Sequence, residues 1–262
     1  MALLLLKLVL TPILIGGASL AARRWGPSVG GWIVALPLTT GPVALYIALD
    51  QGNSFAAGAA KGSIAGLLGD ATFALAYGWV AGRAGWRLSA AAGLAAFVAA
   101  ALLMQPVLAA QSVVVFATVA LGMAVCLWLA PPTRASSAAA PAPAWDIPAR
   151  MIVGTAIVLA ITAAARLLGP SLSGLLAAAP VYVSVLAIFA HRLQGPDPAI
   201  GVVRGLQVGL FGTIVFFLIV TTGIERFGIV PAFGFGLLAA AAIQSVSLWV
   251  LRRPAIAQEA SA

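Results

Sequence analysis

Few residues of this chain are equipped for chemistry, and where they stand is informative. Of its 262 residues, 63% are hydrophobic and only 8% are charged. The ionisable residues Lys61, Asp70 and Arg204 fall inside long apolar runs. An acid in such a run is costly unless it pairs with a cation, faces water or holds a proton. Asp70 is therefore a candidate for binding a coupling proton, with a structural ion pair as the competing reading. Lys61 and Arg204 each fall about one turn inside an apolar segment. Long cationic side chains in such places either snorkel to the headgroups or present a positive site to an anion. On an ideal helix Asp70 lies roughly 180° around from Lys61, so its partner must come from another element. Hydroxyls at Thr39, Thr40, Tyr46, Tyr182 and Ser184 could line a path beside them, although Ser and Thr often bond back to their own helix.

Other chemistries do not fit the pattern. One histidine and one cysteine, His191 and Cys126, supply neither a metal cluster nor a disulfide framework. Gly234-Phe235-Gly236 lies in an apolar run, without the strand-turn-helix setting of a dinucleotide site. There is no Walker loop and no HExxH. The expectation is no catalytic residue, no cofactor and no metal. The net charge of +8 comes from cations scattered at the ends of apolar runs, which reads as membrane topology and not as nucleic-acid binding.

The elements that must position these residues are membrane helices. A soluble domain carries about a quarter charged residues, far more than this chain has. Apolar spans fall at about residues 2–22, 28–49, 57–80, 88–104, 107–130, 150–166, 171–191, 199–221 and 228–251, near the ~20 residues that cross a bilayer as helix. The stretch 88–130 is either two helices broken near Gln105-Pro106 or something less regular. Residues 131–149 are rich in Pro, Ala and Ser, which is linker chemistry.

A gapless offset of 143 positions relates the two halves. AARRWGPSVGGWIVALP (21–37) echoes AARLLGPSLSGLLAAAP (164–180). The same offset pairs Lys7 with Arg150, Arg23 with Arg166, Lys61 with Arg204, Asp70 with Thr213, Arg83 with Arg226 and Gly93 with Gly236. Each unit has four helices, with the span 107–130 between them, so the second unit enters the membrane upside down. Nine spans place ten cations on the side of the C-terminus and four on the other, whereas eight spans give eight against six. Lys and Arg accumulate on the cytoplasmic side. That favours nine helices, an outside N-terminus and a cytoplasmic C-terminus.

The repeat also matches irregularities. Pro37 and Pro180 fall about ten residues into their helices, each expected to free the carbonyl four residues earlier, those of Ile33 and Leu176. Gly41-Pro42 adds a second break without a twin. Matched broken helices point to a transporter site, while a packing kink is the competing reading. Gly58, Gly62, Gly66 and Gly69 repeat as Gly201, Gly205, Gly209 and Gly212. Small residues four apart let helices approach closely, so these two helices are expected near a two-fold axis, touching each other. Trp25, Trp79, Trp86 and Trp249 fit an aromatic belt.

Each unit resembles the four-helix GlpM-like membrane proteins. The second unit carries the likeness in SGLLAAAPVYVSVLAIFA (173–190), AIGVVRGLQVGLFG (199–212) and VPAFGFGLLAAAAIQSVSLWVL (230–251). The resemblance implies an inner-membrane location and a link to exopolysaccharide production. Lys61 in place of the embedded arginine, and Asp70 without a twin, depart from the pattern. The 4+1+4 plan is similar to the drug/metabolite transporter superfamily, although the first helix lacks the glutamate of its small multidrug branch.

The chain thus reads as an all-α polytopic membrane protein of about nine transmembrane helices in a 4+1+4 arrangement with two inverted-topology repeats. Residues 1–104 form the first repeat, 105–130 a connecting helix, 131–149 a cytoplasmic linker, 150–251 the second repeat and 252–262 a cytoplasmic tail. The functional expectation is a bacterial inner-membrane secondary transporter of a small metabolite, with anions among the candidates. The alternative is a non-transporting subunit or assembly factor for envelope polysaccharide. The partners implied are membrane lipids and a small-molecule substrate, with self-association left open and no nucleic acid.

Overall fold

The computed structural model describes residues 2–38, 40–133, 143–165 and 179–259, with side chains omitted at 2–7, 164–165, 250 and 252–259. Among these residues the fold is all helical. The helices are α1 (Ala2–Trp25), α2 (Pro27–Val34), α3 (Thr40–Gln51), α4 (Asn53–Ala81), α5 (Trp86–Met104), α6 (Ser112–Trp128), α7 (Asp146–Ala165), α8 (Val181–Gln194), α9 (Pro196–Phe227) and α10 (Ile229–Glu259). Five of them, α4, α5, α7, α9 and α10, contain windows long and apolar enough to cross a membrane. Large apolar side chains cover the outside, including Leu103, Leu121, Ile152, Phe235 and Leu238. Without water around them, such residues need lipid and not a deeper core.

Residues 88–130 resolve into two helices, α5 and α6, separated by a single 3₁₀ turn at Val107–Ala109. Pro106 explains the interruption, because it has no N–H to continue α5. α7 starts four residues before the expected boundary, at Asp146, inside the stretch read as linker. α10 runs past the expected boundary at 251 to Glu259.

Two pairs of helix starts follow the 143-residue offset. Asn53 opens α4 and Pro196 opens α9, while Trp86 opens α5 and Ile229 opens α10. Gly52 and Gly195 precede the first pair with φ of 87° and 98°, left-handed backbone that favours glycine. The packing repeats too. A side chain built on Gly93 would meet Phe73, and one built on Gly236 would meet Phe216. Both glycines and both phenylalanines are 143 residues apart, so α5 sits on α4 as α10 sits on α9.

The matched helices pack against each other in opposite directions. At one end of the α4–α9 contact, Asn53 Nδ2 donates to the Ile224 carbonyl at 3.2 Å. Farther along, Gln207 Nε2 donates to the Ala71 carbonyl at 3.3 Å, and Gly78 lies beside Val203. α1 and α7 also run antiparallel, with Arg23 at Asp146, Gly16 at Met151 and Ile15 at Gly154. α4 and α9 form the centre of the bundle, with 56% and 67% of their apolar windows buried against 17% for α7.

The glycines divide differently from the sequence expectation. On α9 they receive α2, not α4. Gly201 faces Pro27, Gly205 faces the Ser28 carbonyl and Gly209 faces Ala35 and Trp32, while Gly212 faces Gln244 of α10. Gly31 of α2 abuts the Val202 carbonyl in return. On α4, Gly69 accommodates the Phe97 ring and Gly66 is half-buried. At Gly58 and Gly62 nothing among the described residues lies within 4 Å of a built side chain. The matched ladders are therefore alike in sequence and unlike in use.

Candidate functional site

Asp70 lies well inside α4, in the central pair of helices. Its Oδ1 is buried and has no hydrogen-bond partner among the described residues. Four other buried polar atoms share that condition, on Ser19, Thr155, Thr221 and Gln244, but Asp70 alone among them is ionisable. Its sequence twin Thr213 is satisfied, donating its hydroxyl to the Ala35 carbonyl at the end of α2. The two positions related by the offset thus differ chemically: an Oδ1 without a partner among the described residues on α4, a closed hydroxyl–carbonyl contact on α9.

That contact sits at the Pro37 break. α2 ends at Val34 and α3 begins at Thr40, so the second span is two half-helices. The Ile33 carbonyl, expected to be orphaned, instead accepts the Leu36 N–H at 3.1 Å. Among the described residues the Ala35 carbonyl accepts the Thr213 hydroxyl of α9. Pro42 makes no second break, because it lies in the first turn of α3, where an N–H has no intrahelical acceptor anyway. Pro180 is the N-cap of α8, with its carbonyl accepting both the backbone and the side chain of Ser184. Leu176 and Thr39 lie outside the described residues. Thr40 is exposed, and Tyr46 faces outward from α3. Tyr182 is half-buried, and its hydroxyl pairs with that of Thr11 at 3.1 Å. Beside the break lies a cavity of about 10 Å³ lined by Leu14, Ile33, Val34, Leu36, Leu38 and Tyr182. This volume holds about one water. Asp70 is not part of its lining.

The two embedded cations do not converge on Asp70. Lys61 Nζ donates to the Ala110 carbonyl, just before α6. Arg204 Nη1 donates to the Pro131 carbonyl at 3.1 Å, just after α6. Residues matched by the 143-residue offset thus hold opposite ends of α6, about 25 Å apart for 17 residues at 1.5 Å each. A backbone carbonyl at a helix end needs such a donor when water is scarce.

Sequence reasoning missed two groups. Gln207, 2% exposed, donates to the carbonyls of Ala71 and Cys126 and so joins α9 to α4 and α6. A lone amide inside an apolar run was the available signal. Asp146, only 1% exposed, binds Arg150 Nε at 2.7 Å and Arg23 Nη2 at 3.1 Å. Its place in a Pro/Ala-rich stretch disguised it as linker. His191 is half-buried, within 3.2 Å of the Tyr77 hydroxyl.

Among cations with described side chains, Arg23, Arg24, Arg83, Arg87, Arg150, Arg192 and Arg204 gather at one end of the bundle, with Lys61 and Arg226 at the other. Among the described residues, no group of His, Cys, Asp and Glu is placed to hold a metal ion. Comparison with known proteins gives no match, whether to family models, to curated proteins or to solved structures.

Proposed function

We propose that the chain is a secondary carrier of a small metabolite in a bacterial inner membrane, with two four-helix units of opposite orientation that alternate access. The observation that carries this reading is the Asp70 carboxyl, whose Oδ1 is buried without a partner among the described residues on one of the two central helices. An intramembrane acid without a cation has a functional role by default, and proton binding is the role assigned to it. Antiparallel packing of α4 on α9 and of α1 on α7 supports an inverted relation between the units, a recurring carrier plan. The unequal glycine ladders support a single state of the cycle: α2 seals the face of α9, while Gly58 and Gly62 leave that of α4 open among the described residues. The basic end is assigned to the cytoplasm. The likeness of each unit to GlpM-like proteins belongs to the same proposal.

Asp70→Asn in proteoliposomes tests it. Uptake of a candidate substrate driven by a pH gradient should be lost, while exchange without a gradient persists. Uptake that keeps its full dependence on the gradient removes Asp70 from the mechanism.

One observation favours the second reading, a non-transporting subunit of envelope polysaccharide production. The cavity beside Pro37 is far too small for a metabolite. A carrier must open it in another state. Spin labels on α2 and α9 should then show two separations, and a single narrow one would leave the non-transporting reading.

A further inference from the structure

A second, larger cavity lies away from Asp70, at the basic end. Its volume is about 260 Å³, and it is formed where the starts of α5 and α7 meet the end of α8. Trp86, Trp145, Ile188 and Phe189 give it apolar and aromatic walls, and Arg192 stands in its lining. The Arg87 guanidinium lies 5.3 Å from the Trp86 ring centroid, beside the same wall. Arg192 is exposed and makes no ion pair among the described residues. The acid nearest in sequence to this wall, Asp146, is buried and already divided between Arg23 and Arg150. It cannot neutralise Arg192 without abandoning Arg150, which is only 4% exposed. The cavity therefore joins an unspent positive charge to tryptophans and aliphatic surface.

We propose that this cavity binds the phosphodiester headgroup of an anionic phospholipid, with Arg192 on the phosphate and Trp86 and Trp145 at the headgroup–acyl boundary. A soluble anion would find the charge and no use for the apolar wall. A zwitterionic lipid would find the wall and bring its own cation. An anionic lipid matches both, as basic pockets between membrane helices on the cytoplasmic side do generally, and indole rings settle at that depth. The site is independent of the carrier reading and holds equally for a protein that transports nothing.

The test uses the full chain in phosphatidylcholine vesicles containing an equal fraction of brominated phosphatidylglycerol or brominated phosphatidylcholine. Tryptophan quenching should be stronger with the anionic lipid. That excess should vanish in the Trp86→Phe/Trp145→Phe protein. One guanidinium near a lipid surface accounts for about a five-fold preference, so Arg192→Gln should lower the preference about that much. Arg24→Gln, at the same end but outside the cavity, should keep it. Equal quenching by both lipids overturns the proposal, as does an Arg192→Gln protein with the full preference. Equal losses in Arg24→Gln and Arg192→Gln would show diffuse attraction and overturn it as well. Displacement of the excess by inorganic phosphate would make the site one for a free anion and overturn the lipid assignment.

Discussion

Gly62 and Gly205 occupy the same position in the two units, and the structure predicts opposite responses to alanine. A Cβ on Gly205 would lie 2.7 Å from the Ser28 carbonyl carbon and 2.9 Å from its Cα. Carbon atoms prefer about 3.5–4.0 Å, so α2 and α9 must separate by roughly 1 Å. Both obstructing atoms are backbone, so no side chain can swing aside. Moving α2 also strips Gly201, Gly209 and Gly31 of their contacts and lengthens the Thr213–Ala35 bond. Overpacking of this kind costs about 1–3 kcal/mol, and a backbone obstacle places Gly205→Ala at the upper end. At Gly62 nothing among the described residues lies within 4 Å. Alanine there removes a glycine from a helix interior, a gain of up to about 1 kcal/mol. Thermal unfolding in detergent, followed by size exclusion, should therefore show Gly205→Ala melting several degrees below the parent and Gly62→Ala at or above it. Equal shifts in the two variants would refute the argument that α2 is wedged against one unit only.

Other perturbations follow from the polar contacts. Asp146→Asn leaves Arg150 buried without its counter-ion and should cost about 3–5 kcal/mol, read as a fall in melting temperature that salt barely alters, because buried pairs are poorly screened. Lys61→Met and Arg204→Met each orphan one carbonyl at a cost of about 1–3 kcal/mol. Hydrogen exchange should rise near 107–111 in the first and near 128–133 in the second, and a rise at both ends in either variant would contradict the assignment. On a Cys126→Ala background, Arg24→Cys and Arg226→Cys should react with an impermeant maleimide from opposite sides of the membrane. Labelling from one side would sink the proposed orientation.

Much of the helix pattern was legible in the sequence because glycine and proline punctuate it. The offset that pairs Gly52 with Gly195 also fixes where α4 and α9 begin, and Pro106 marks the break between α5 and α6. The site was less legible, for a physical reason. Spacing shows which residues share a face of a helix, but not which neighbour that face meets. The glycine ladders looked like a mutual α4–α9 interface, yet on α9 they admit α2, and Gln207 and Asn53 contribute hydrogen bonds to the α4–α9 contact. Lys61 and Arg204 read as cations that either snorkel to the headgroups or present a positive site to an anion. Their carbonyl acceptors, at Ala110 and Pro131, lie in the segment that has no repeat partner, where a sequence offset gives no guidance.

The polar contacts also bear on α6, the helix without a counterpart under the 143-residue offset. Lys61 on α4 meets the start of α6, Trp79 on α4 meets its end, and Arg204 on α9 meets that same end. α4 runs along α6 and α9 runs against it. A two-fold axis relating α4 to α9 would have to exchange the ends of α6, which a single helix satisfies only approximately, since its own direction reverses. α6 is therefore the element on which the symmetry must fail, and the departures adjoin it. Lys61, the counterpart of Arg204, reaches the extended residue Ala110 that follows the 3₁₀ turn. Gln207, which reaches Cys126 of α6, has Ile64 as its counterpart. On the proposal of two inverted units, the halves should therefore differ most along the faces of α4 and α9 that meet α6, as the pair Gln207 and Ile64 illustrates.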